Sequence, residues 1–398
     1  MQNLKKPVSV TRKKIHCDEL ALYVHWPFCL SRCPYCDFNA HVRPNVDQEA
    51  WRNALISEIK YWSSKSPGRI LKSIFFGGGT PSLMLPRIAS DIIQEASKHW
   101  SFSSDIEITV EANPTSIEIE RFKELGAAGV NRISIGVQAL DNSALRFLGR
   151  EHDYALAISA IKTAEKVFPR YSFDLIYGRP GQNINDWSSE LREALNLVGD
   201  HISLYQLTIE KGTPFYSETR AGNIVPLDEN TSAALFDITQ EICDQHRLPA
   251  YEVSNHALPG SECRHNLTYW KGGDYIGIGP GAHGRVTINQ TVYETEQIPG
   301  PEAWLATVEK LGHATRKESQ IKSNSRIEEI FMMGLRLING ISRKNFTNQT
   351  GLELEDALDP KRLRRLLIEG YLILDRKGLR ATKKGFLRLN AVLSALLS

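Results

Sequence analysis

The stretch that decides the fold is residues 20–36, which read LALYVHWPFCLSRCPYC. It begins with an apolar run of strand length and continues into a loop that places Cys29, Cys33 and Cys36 in the spacing C-x3-C-x2-C. Six cysteines in 398 residues are too few for a disulfide scaffold, so three clustered thiols indicate metal or redox chemistry. A structural zinc site normally takes four ligands, whereas a [4Fe–4S] cube held by three cysteines leaves one iron open to a ligand.

Outward from this loop, strand-length apolar runs alternate with helix-length amphipathic stretches. This alternation predicts a parallel sheet covered by helices on both faces, and six units favour an α/β fold built as a partial (β/α)6 TIM barrel. The predicted strands are Leu20–His25, Leu71–Phe76, Ile106–Val110, Arg132–Val137, Phe173–Tyr177 and Ile202–Leu207. The predicted helices are Gln48–Trp62, Leu85–Trp100, Ile117–Leu125, Tyr154–Val167, Trp187–Val198 and Thr231–Gln245.

Unusual residues follow the ends of these strands, where a barrel of this type carries its chemistry. The first strand leads into the cysteine loop, the second into Gly77–Pro81 and the third into Glu111–Pro114. The fourth strand ends near Gln138, and the fifth carries Asp174 and ends near Gly178. Because parallel strands end at the same side of a barrel, we expect these residues to converge at one mouth.

The cysteine loop resembles that of a known superfamily. Its spacing after a first strand, with Tyr35 before the last cysteine, is similar to the loop of radical S-adenosylmethionine (SAM) proteins. The resemblance implies a [4Fe–4S] cluster on Cys29, Cys33 and Cys36, and SAM chelated to the open iron. It also implies SAM contacts from the barrel mouth, namely Tyr23, Tyr35, Gly78, Gly79, Thr80, Glu111, Gln138, Arg150 and Asp174.

Several of these residues also have an interpretation without a ligand. The cysteines fit a structural metal site, Gly77–Thr80 an ordinary glycine turn, Glu111 a salt-bridged barrel residue and Arg150 a surface charge. A glycine-rich stretch at 276–284 is weak evidence for nucleotide binding, and it equally fits a tight turn at the barrel edge.

Further motifs narrow the resemblance to the oxygen-independent coproporphyrinogen III oxidase family. They cover roughly residues 18–290 in order along the chain. The family has a decarboxylase branch, which acts in haem synthesis, and a HemW-type haem chaperone branch. The motifs are Leu22–Cys29, Phe76–Ser82, Arg132–Gln138, Asp174–Pro180 and Ile278–Gly284.

Three features favour the chaperone branch. The decarboxylases carry a fourth cysteine where this chain has Phe38, and their N-terminal arm is longer than the 28 residues before Cys29. Residues 265–270, HNLTYW, also match an H-N-x-x-Y-W motif associated with haem binding in the chaperones. The resemblance implies haem as cargo with His265 as candidate ligand, apo-haemoproteins as clients and an electron donor for the cluster. Cys263 is a less favoured ligand, and radical decarboxylation of coproporphyrinogen III is the alternative activity.

Composition excludes several classes of protein. Hydrophobic residues make up 41% and charged residues 24% with a net charge of +2, which excludes global disorder and a uniformly basic chain. No apolar run approaches the ~18 residues of a membrane helix, and the N-terminus lacks a secretory signal. We therefore expect a cytoplasmic protein in which residues 1–17 form a solvated basic tail rather than a transit peptide.

The alternating pattern ends near residue 285. We expect the barrel at 18–290, a connecting helical segment at 291–315 and a winged-helix-like α+β domain at 316–398. Residues 361–388 carry ten basic and two acidic side chains. Such a face fits an anionic membrane surface, an acidic partner, a solvated domain surface or nucleic acid. We favour an interaction or structural role over nucleic-acid binding, because fold alone does not imply DNA binding.

Overall fold

The computed structural model describes residues 18–43 and 45–397, so the predicted basic tail at 1–17 lies outside the described residues. The chain divides into two compact units, one at Asp18–Gln320 and the other from Ile321 onward. No helix in the described ranges is both long enough and apolar enough to cross a bilayer.

The first unit is built from strands that alternate with helices. Its strands are β1 Glu19–Trp26, β2 Phe28–Cys29, β3 His41–Val42, β4 Ile70–Gly78, β5 Ser101–Ala112, β6 Arg132–Gln138, β7 Arg170–Tyr177, β8 His201–Gln206, β9 Asn255–Ala257, β10 Tyr275–Ile278, β11 His283–Ile288, β12 Thr291–Gln297 and β13 Thr315–Gln320. Its α-helices are α1 Gln48–Lys65, α2 Pro86–His99, α3 Ser116–Ala127, α4 Asn142–Phe147, α5 Tyr154–Val167, α6 Ile184–Leu195, α7 Pro214–Arg220, α8 Glu229–Gln245, α9 Arg264–Trp270 and α10 Pro301–Leu311.

The main sheet has the strand order β13-β12-β11-β10-β1-β4-β5-β6-β7-β8-β9. All six predicted strands are present and pair in parallel, and β10 adds a seventh parallel strand beside β1. The order has two edges, β13 and β9, so the sheet is an open barrel in the part of the chain that the structure describes. The predicted α/β partial barrel is confirmed.

Local sequence explains why these elements form. In β1 only Glu19 is exposed, as expected for a strand with helices or core on both faces. Helix α2 starts with Pro86, whose fixed φ suits the first helical turn, and it buries Ile88, Ile92 and Ala96 at helical spacing. Such elements form one continuous core, which fixes the strand ends that carry the site.

Residues 291–320 differ from the predicted connecting helical segment and domain boundary. Strands β12 and β13 extend the main sheet through antiparallel pairing, and only α10 is helical. The segment Thr315–Gln320 reads TRKESQ because an edge strand with one solvated face has no need of an apolar run. The glycine-rich stretch forms the β10–β11 hairpin, where Gly279 has φ +92° and a Cβ would lie 2.3 Å from the His25 carbonyl oxygen.

The second unit combines helices with a small antiparallel sheet in the order β14-β16-β15. Its strands at 372–374 and 378–381 form an antiparallel hairpin, and its last two helices are separated by residues 387–388. This arrangement matches the winged-helix-like expectation. The strands are β14 Ile341–Ser342, β15 Leu372–Leu374 and β16 Gly378–Ala381, and the helices are α11 Ser323–Gly334, α12 Arg343–Thr350, α13 Pro360–Ile368, α14 Lys383–Phe386 and α15 Leu389–Leu397.

Candidate functional site

An open cleft with an empty volume of about 1040 Å³ lies where the parallel strands end. The expected convergence of strand ends is therefore observed. Of the residues predicted to contact the cluster or SAM, the cleft lining contains Cys29, Cys33, Cys36, Tyr35, Gly78, Gly79, Thr80, Glu111, Gln138, Arg150 and Asp174.

Two side chains donate hydrogen bonds to the cysteine sulfurs. Thr80 Oγ1 lies 3.4 Å from Cys29 Sγ, and Arg150 Nη1 lies 3.1 Å from Cys33 Sγ. Arg150 also donates to the Gly136 carbonyl oxygen at 2.9 Å. The guanidinium is therefore part of the cleft wall, and the interpretation of Arg150 as a surface charge is wrong.

The three thiols fit an iron–sulfur cube better than a single metal ion. All three are free and half-buried. Within the described ranges, no three His, Cys, Asp or Glu side chains are grouped to hold one ion. A cube needs one cysteine per iron, so its ligands need not converge on a point as the ligands of zinc do. Donors already directed at two sulfurs suit a cluster with anionic thiolates.

The glycine loop is pressed against the start of the cysteine loop. Gly79 N–H donates to the Trp26 carbonyl at 2.7 Å, and Thr80 N–H donates to that of Phe28 at 2.8 Å. A Cβ on Gly79 would lie 2.7 Å from the Phe28 carbonyl oxygen, and Gly78 has φ +112°. Glycine is therefore required at both positions by packing and backbone conformation.

Two carboxylates in the cleft wall are poised for a cation. Burial, and then the nearby Asp174, raise the pKa of Glu111 to about 8, while burial raises the pKa of Asp174 to about 6. Glu111 accepts from Gly78 N–H at 3.2 Å and has no ion pair with a described basic side chain, so the salt-bridge interpretation is wrong. Ser134 donates to Asp174 at 3.4 Å. A cationic ligand here would offset the cost of ionising these groups.

Gln138 reaches the cleft from an unusual backbone conformation. Its φ is +70°, in the left-handed region that costs a non-glycine residue about 1 kcal/mol. The pairing of β6 with β7 also shifts register between Ile135 and Gln138. Strain of this kind concentrates at functional sites, because only the surrounding fold keeps it in place.

Sequence reasoning missed two asparagines that organise the cleft. Asn113 accepts from Arg150 Nη2 and donates to Thr80 Oγ1 at 3.1 Å, so it links the two donors that reach the cysteines. Its place after a strand end was the only signal in the sequence. Asn39 gave no signal at all.

Asn39 anchors the cysteine loop to distant parts of the unit. Its Nδ2 donates to the carbonyl oxygens of Pro280 and Pro299, both at 3.0 Å. The backbone carbonyl oxygen of Asn39 lies 3.0 Å from His25 Nε2, and Tyr23 Oη lies 3.0 Å from His25 Nδ1. This network holds β1, the end of the cysteine loop and the segments after β10 and β12 together.

A second, inner cavity of about 530 Å³ adjoins the cleft. It shares Glu111, Ser134 and Asp174 with the cleft lining, so these three residues form a common wall. Tyr23 and His265 line the inner cavity instead of the cleft. The structure therefore separates these two predicted residues from the cysteines.

His265 is buried, and both of its ring nitrogens have hydrogen-bond partners. It is 1% exposed, its Nδ1 lies 2.9 Å from Ser73 Oγ and its Nε2 lies 2.6 Å from Tyr269 Oη. The ring stacks on Phe75, and burial lowers the pKa of His265 to about 3, which keeps it neutral. Iron ligation by His265 would require one of these hydrogen bonds to be given up.

Cys263 is no better placed to bind iron. Its thiol is buried and donates to Glu107 Oε1 at 3.4 Å. Burial raises the pKa of Cys263 to about 12, and iron binds the thiolate rather than the thiol.

Comparison with known proteins agrees with this geometry. The radical SAM superfamily pattern matches residues 23–194, and the HemN C-terminal domain pattern matches residues 321–388. The chain is 38% identical over 385 residues to "Radical S-adenosyl methionine domain-containing protein 1, mitochondrial" of Bos taurus, covering 95% of this chain and 87% of that protein. It is 35% identical to "Heme chaperone HemW" of Escherichia coli, with 95% and 98% covered.

A solved structure shares the fold. Coproporphyrinogen III oxidase (HemN) from Escherichia coli superposes with a TM-score of 0.78 at 23% identity. The match covers 95% of this chain and 90% of that structure. The likeness therefore extends over both units and identifies the architecture.

Proposed function

The chain belongs to the radical SAM superfamily, in the family that includes the heme chaperone HemW, and on that premise we propose that it binds haem and delivers it to apo-haemoproteins. The observation that carries the proposal is the similarity to the Escherichia coli chaperone over 98% of that protein's length. Chaperones of the same name from Haemophilus influenzae and Bacillus subtilis are each 33% identical over a similar span.

The cleft residues would hold the cofactors of the superfamily. Cys29, Cys33 and Cys36 would bind three irons of a [4Fe–4S] cluster, with Thr80 and Arg150 donating to sulfur. When bound, the reduced cluster supplies the electron that cleaves SAM to a 5′-deoxyadenosyl radical.

We assign the SAM contacts to the strand ends. The buried carboxylates Glu111 and Asp174 would attract the cationic part of SAM, and the backbone of 78–80 and the amide of Gln138 add polar contacts. Arg150 would bind a carboxylate, and Tyr35 borders the same cleft. Tyr23 would support the SAM site indirectly, because it is hydrogen-bonded to His25, whose ring packs against Gly78 of the glycine loop.

A haem titration of the cluster-reconstituted protein tests the function. Absorbance should saturate near one haem per chain, and the haem should pass to apomyoglobin. His265→Ala should weaken binding if His265 becomes an iron ligand, whereas His99→Ala, at an exposed position on α2, should not. Absence of both saturable binding and transfer by the wild type would overturn the proposal.

For the alternative activity, decarboxylation of coproporphyrinogen III, this chain lacks the fourth cysteine of the decarboxylases. The position of the fourth cysteine of the decarboxylases is taken by Phe38, which is exposed at the cleft mouth. Anaerobic formation of protoporphyrinogen IX by the reconstituted protein would restore that activity and count against a chaperone that only carries haem.

Location and partners are proposed on chemical grounds. A reducing compartment such as the cytoplasm suits three free thiols, and the cluster needs an electron donor. In the second unit, α13 displays Lys361, Arg362, Arg364 and Arg365 beside an exposed Ile368, a combination suited to an anionic lipid surface. Salt-sensitive binding to duplex DNA rather than to anionic vesicles would contradict this assignment.

A further inference from the structure

We propose that the porphyrin docks where the cysteine loop borders the mouth of the cleft, on an apolar rim formed by Leu30 and Phe38, with Arg32 pairing to a propionate. This inference rests on the proposed function and assigns its binding site. It places the cargo at the mouth of the cleft, whereas the histidine motif lies in the inner cavity.

The rim consists of large apolar side chains that the fold leaves uncovered. Phe38 is 62% exposed and Leu30 is 43% exposed, and both line the cleft that holds the cysteines. Ala40 and Leu83 extend the same lining. Large apolar side chains exposed along one cleft gain from being buried against a ligand, because their contact with water is then removed.

The strand pairing beside the rim keeps it in a fixed place. Strand β2 pairs with β3 so that Cys29 lies opposite Val42, which is 50% exposed. Ala40 N–H donates to the Phe38 carbonyl at 2.8 Å, which forms a tight turn at the tip. The neighbouring residue Asn39 anchors this turn through its two hydrogen bonds, so the backbone that carries Phe38 is held in place.

The charge next to the rim fits a porphyrin with propionates. Arg32 is exposed, lies between Cys29 and Cys33 and lines the cleft. In the part of the chain that the structure describes, it forms no ion pair with an acidic side chain, unlike Arg43, which is bonded to Glu302. A flat apolar macrocycle with carboxylate arms needs an aromatic face and a cation at its edge, and the rim offers both.

The inner cavity is a poorer place for the same ligand. Two groups in its lining, His265 and Cys263, already have hydrogen-bond partners, whereas Arg132 Nε and Asn255 Oδ1 have none among the described residues. His265 would have to lose Tyr269 or Ser73 before it could reach iron. The rim requires no such opening, which favours it as the docking site.

The test compares haem affinity among variants with equal cluster content. Phe38→Ala should weaken binding about fivefold and the Leu30→Ala/Phe38→Ala pair at least about tenfold, since each tenfold change corresponds to 1.4 kcal/mol. Ile184→Ala removes a comparably exposed apolar side chain on α6 and should bind like the wild type. Iron and sulfide analysis of each variant verifies that the loop still holds its cluster.

A second measurement isolates the propionate contact. Arg32→Gln should weaken binding of haem but leave binding of haem dimethyl ester unchanged. If Phe38→Ala disturbed cluster content, this comparison would still decide, because equal losses for acid and ester would contradict the pairing.

The outcomes separate the site from the function. If the rim variants bound haem with wild-type affinity and His265→Ala lost haem binding, the assignment of the site to the rim would be overturned. The proposed chaperone function would still stand. Failure of the wild type to bind haem would instead overturn the proposed function. Normal haem binding with failed delivery to apomyoglobin only in the rim variants would mean that the surface docks the client, and this too would overturn the proposal.

Discussion

The cleft and the inner cavity share a wall but differ in how their polar groups are used. In the cleft, donors from Thr80 and Arg150 point at sulfur, and Glu111 forms no ion pair with a basic side chain in the described ranges. In the inner cavity, His265 has a partner on each ring nitrogen. Glu111 belongs to the wall that the two cavities share, so it faces both of them. A ligand in the cleft would meet donors that already point at sulfur, whereas iron ligation in the inner cavity would have to displace a partner of His265. Residue type alone therefore does not identify a binding site, because a histidine with both nitrogens satisfied already serves the fold.

The largest effect should come from removing a cysteine of the cleft. Cys33→Ser should abolish the broad brown absorbance after anaerobic reconstitution, because one iron of the cube loses its protein ligand. Cys243→Ser, a buried thiol in α8, should keep the absorbance. If Cys33→Ser still assembled a full cube, Cys33 would not be a cluster ligand and would not differ in this respect from the buried Cys243.

The next effect concerns the glycine loop. Gly79→Ala should weaken SAM binding at least about tenfold, because overpacking against backbone costs 1–3 kcal/mol and the loop must move. Gly300→Ala is the matched control, since its Cβ would meet nothing closer than 3.9 Å. Equilibrium dialysis with labelled SAM measures both. Unchanged affinity in Gly79→Ala would show that SAM does not depend on this loop.

A pH series should distinguish the shared carboxylates from the rest of the wall. In the empty site the pKa of Glu111 is raised to about 8, so the carboxylate becomes charged as pH rises toward 8 and a bound cation lowers that pKa. SAM affinity should therefore rise between pH 6 and pH 8, by up to about tenfold per pH unit. Glu111→Gln should bind weakly and lose most of the rise. A steep profile in this variant would assign the effect to another group.

Asn39→Ala should loosen the cysteine loop with less effect than removing a ligand. It leaves the carbonyls of Pro280 and Pro299 without their donor, at a cost of about 1–3 kcal/mol in the free energy of unfolding. The cluster should still assemble but be lost faster to a chelator. Asn185→Ala, exposed on α6, should match the wild type in both measurements. An unchanged rate of loss would separate loop anchoring from cluster retention.

The smallest effect on the cleft should come from the inner cavity. Tyr269→Phe removes one partner of His265 and should lower the free energy of unfolding by about 1 kcal/mol, while cluster content and SAM affinity stay constant. Thermal melts and dialysis measure these quantities. A large loss of SAM affinity would mean that the two cavities are coupled through their common wall.

The sequence predicted the cleft because parallel strands must end on one side. The apolar runs located all six strands, and the residues after them converge as expected. It did not predict β13, since a polar edge strand such as Thr315–Gln320 has no apolar pattern. A buried strand is apolar and can be predicted from the sequence, whereas a strand with a solvated face cannot.

Nonlocal packing explains the rest of the differences. The HNLTYW motif made His265 a candidate haem ligand, but Ser73 on β4, 192 residues away, occupies one of its nitrogens. A surface charge was the alternative interpretation of Arg150, but its guanidinium donates to the Gly136 carbonyl oxygen and to Cys33 Sγ. Such partners are set by the tertiary fold, and no spacing along the chain reports them.

The anchor at Asn39 sets an order of events during synthesis. Its acceptors lie 241 and 260 residues further along the chain, so the ribosome completes them long after the cysteines have emerged. At roughly 5–20 residues per second, that interval is on the order of 10–50 s. Throughout it the nascent loop lacks its final attachment. The loop therefore reaches its anchored form only after the hairpin and Pro299 have been translated.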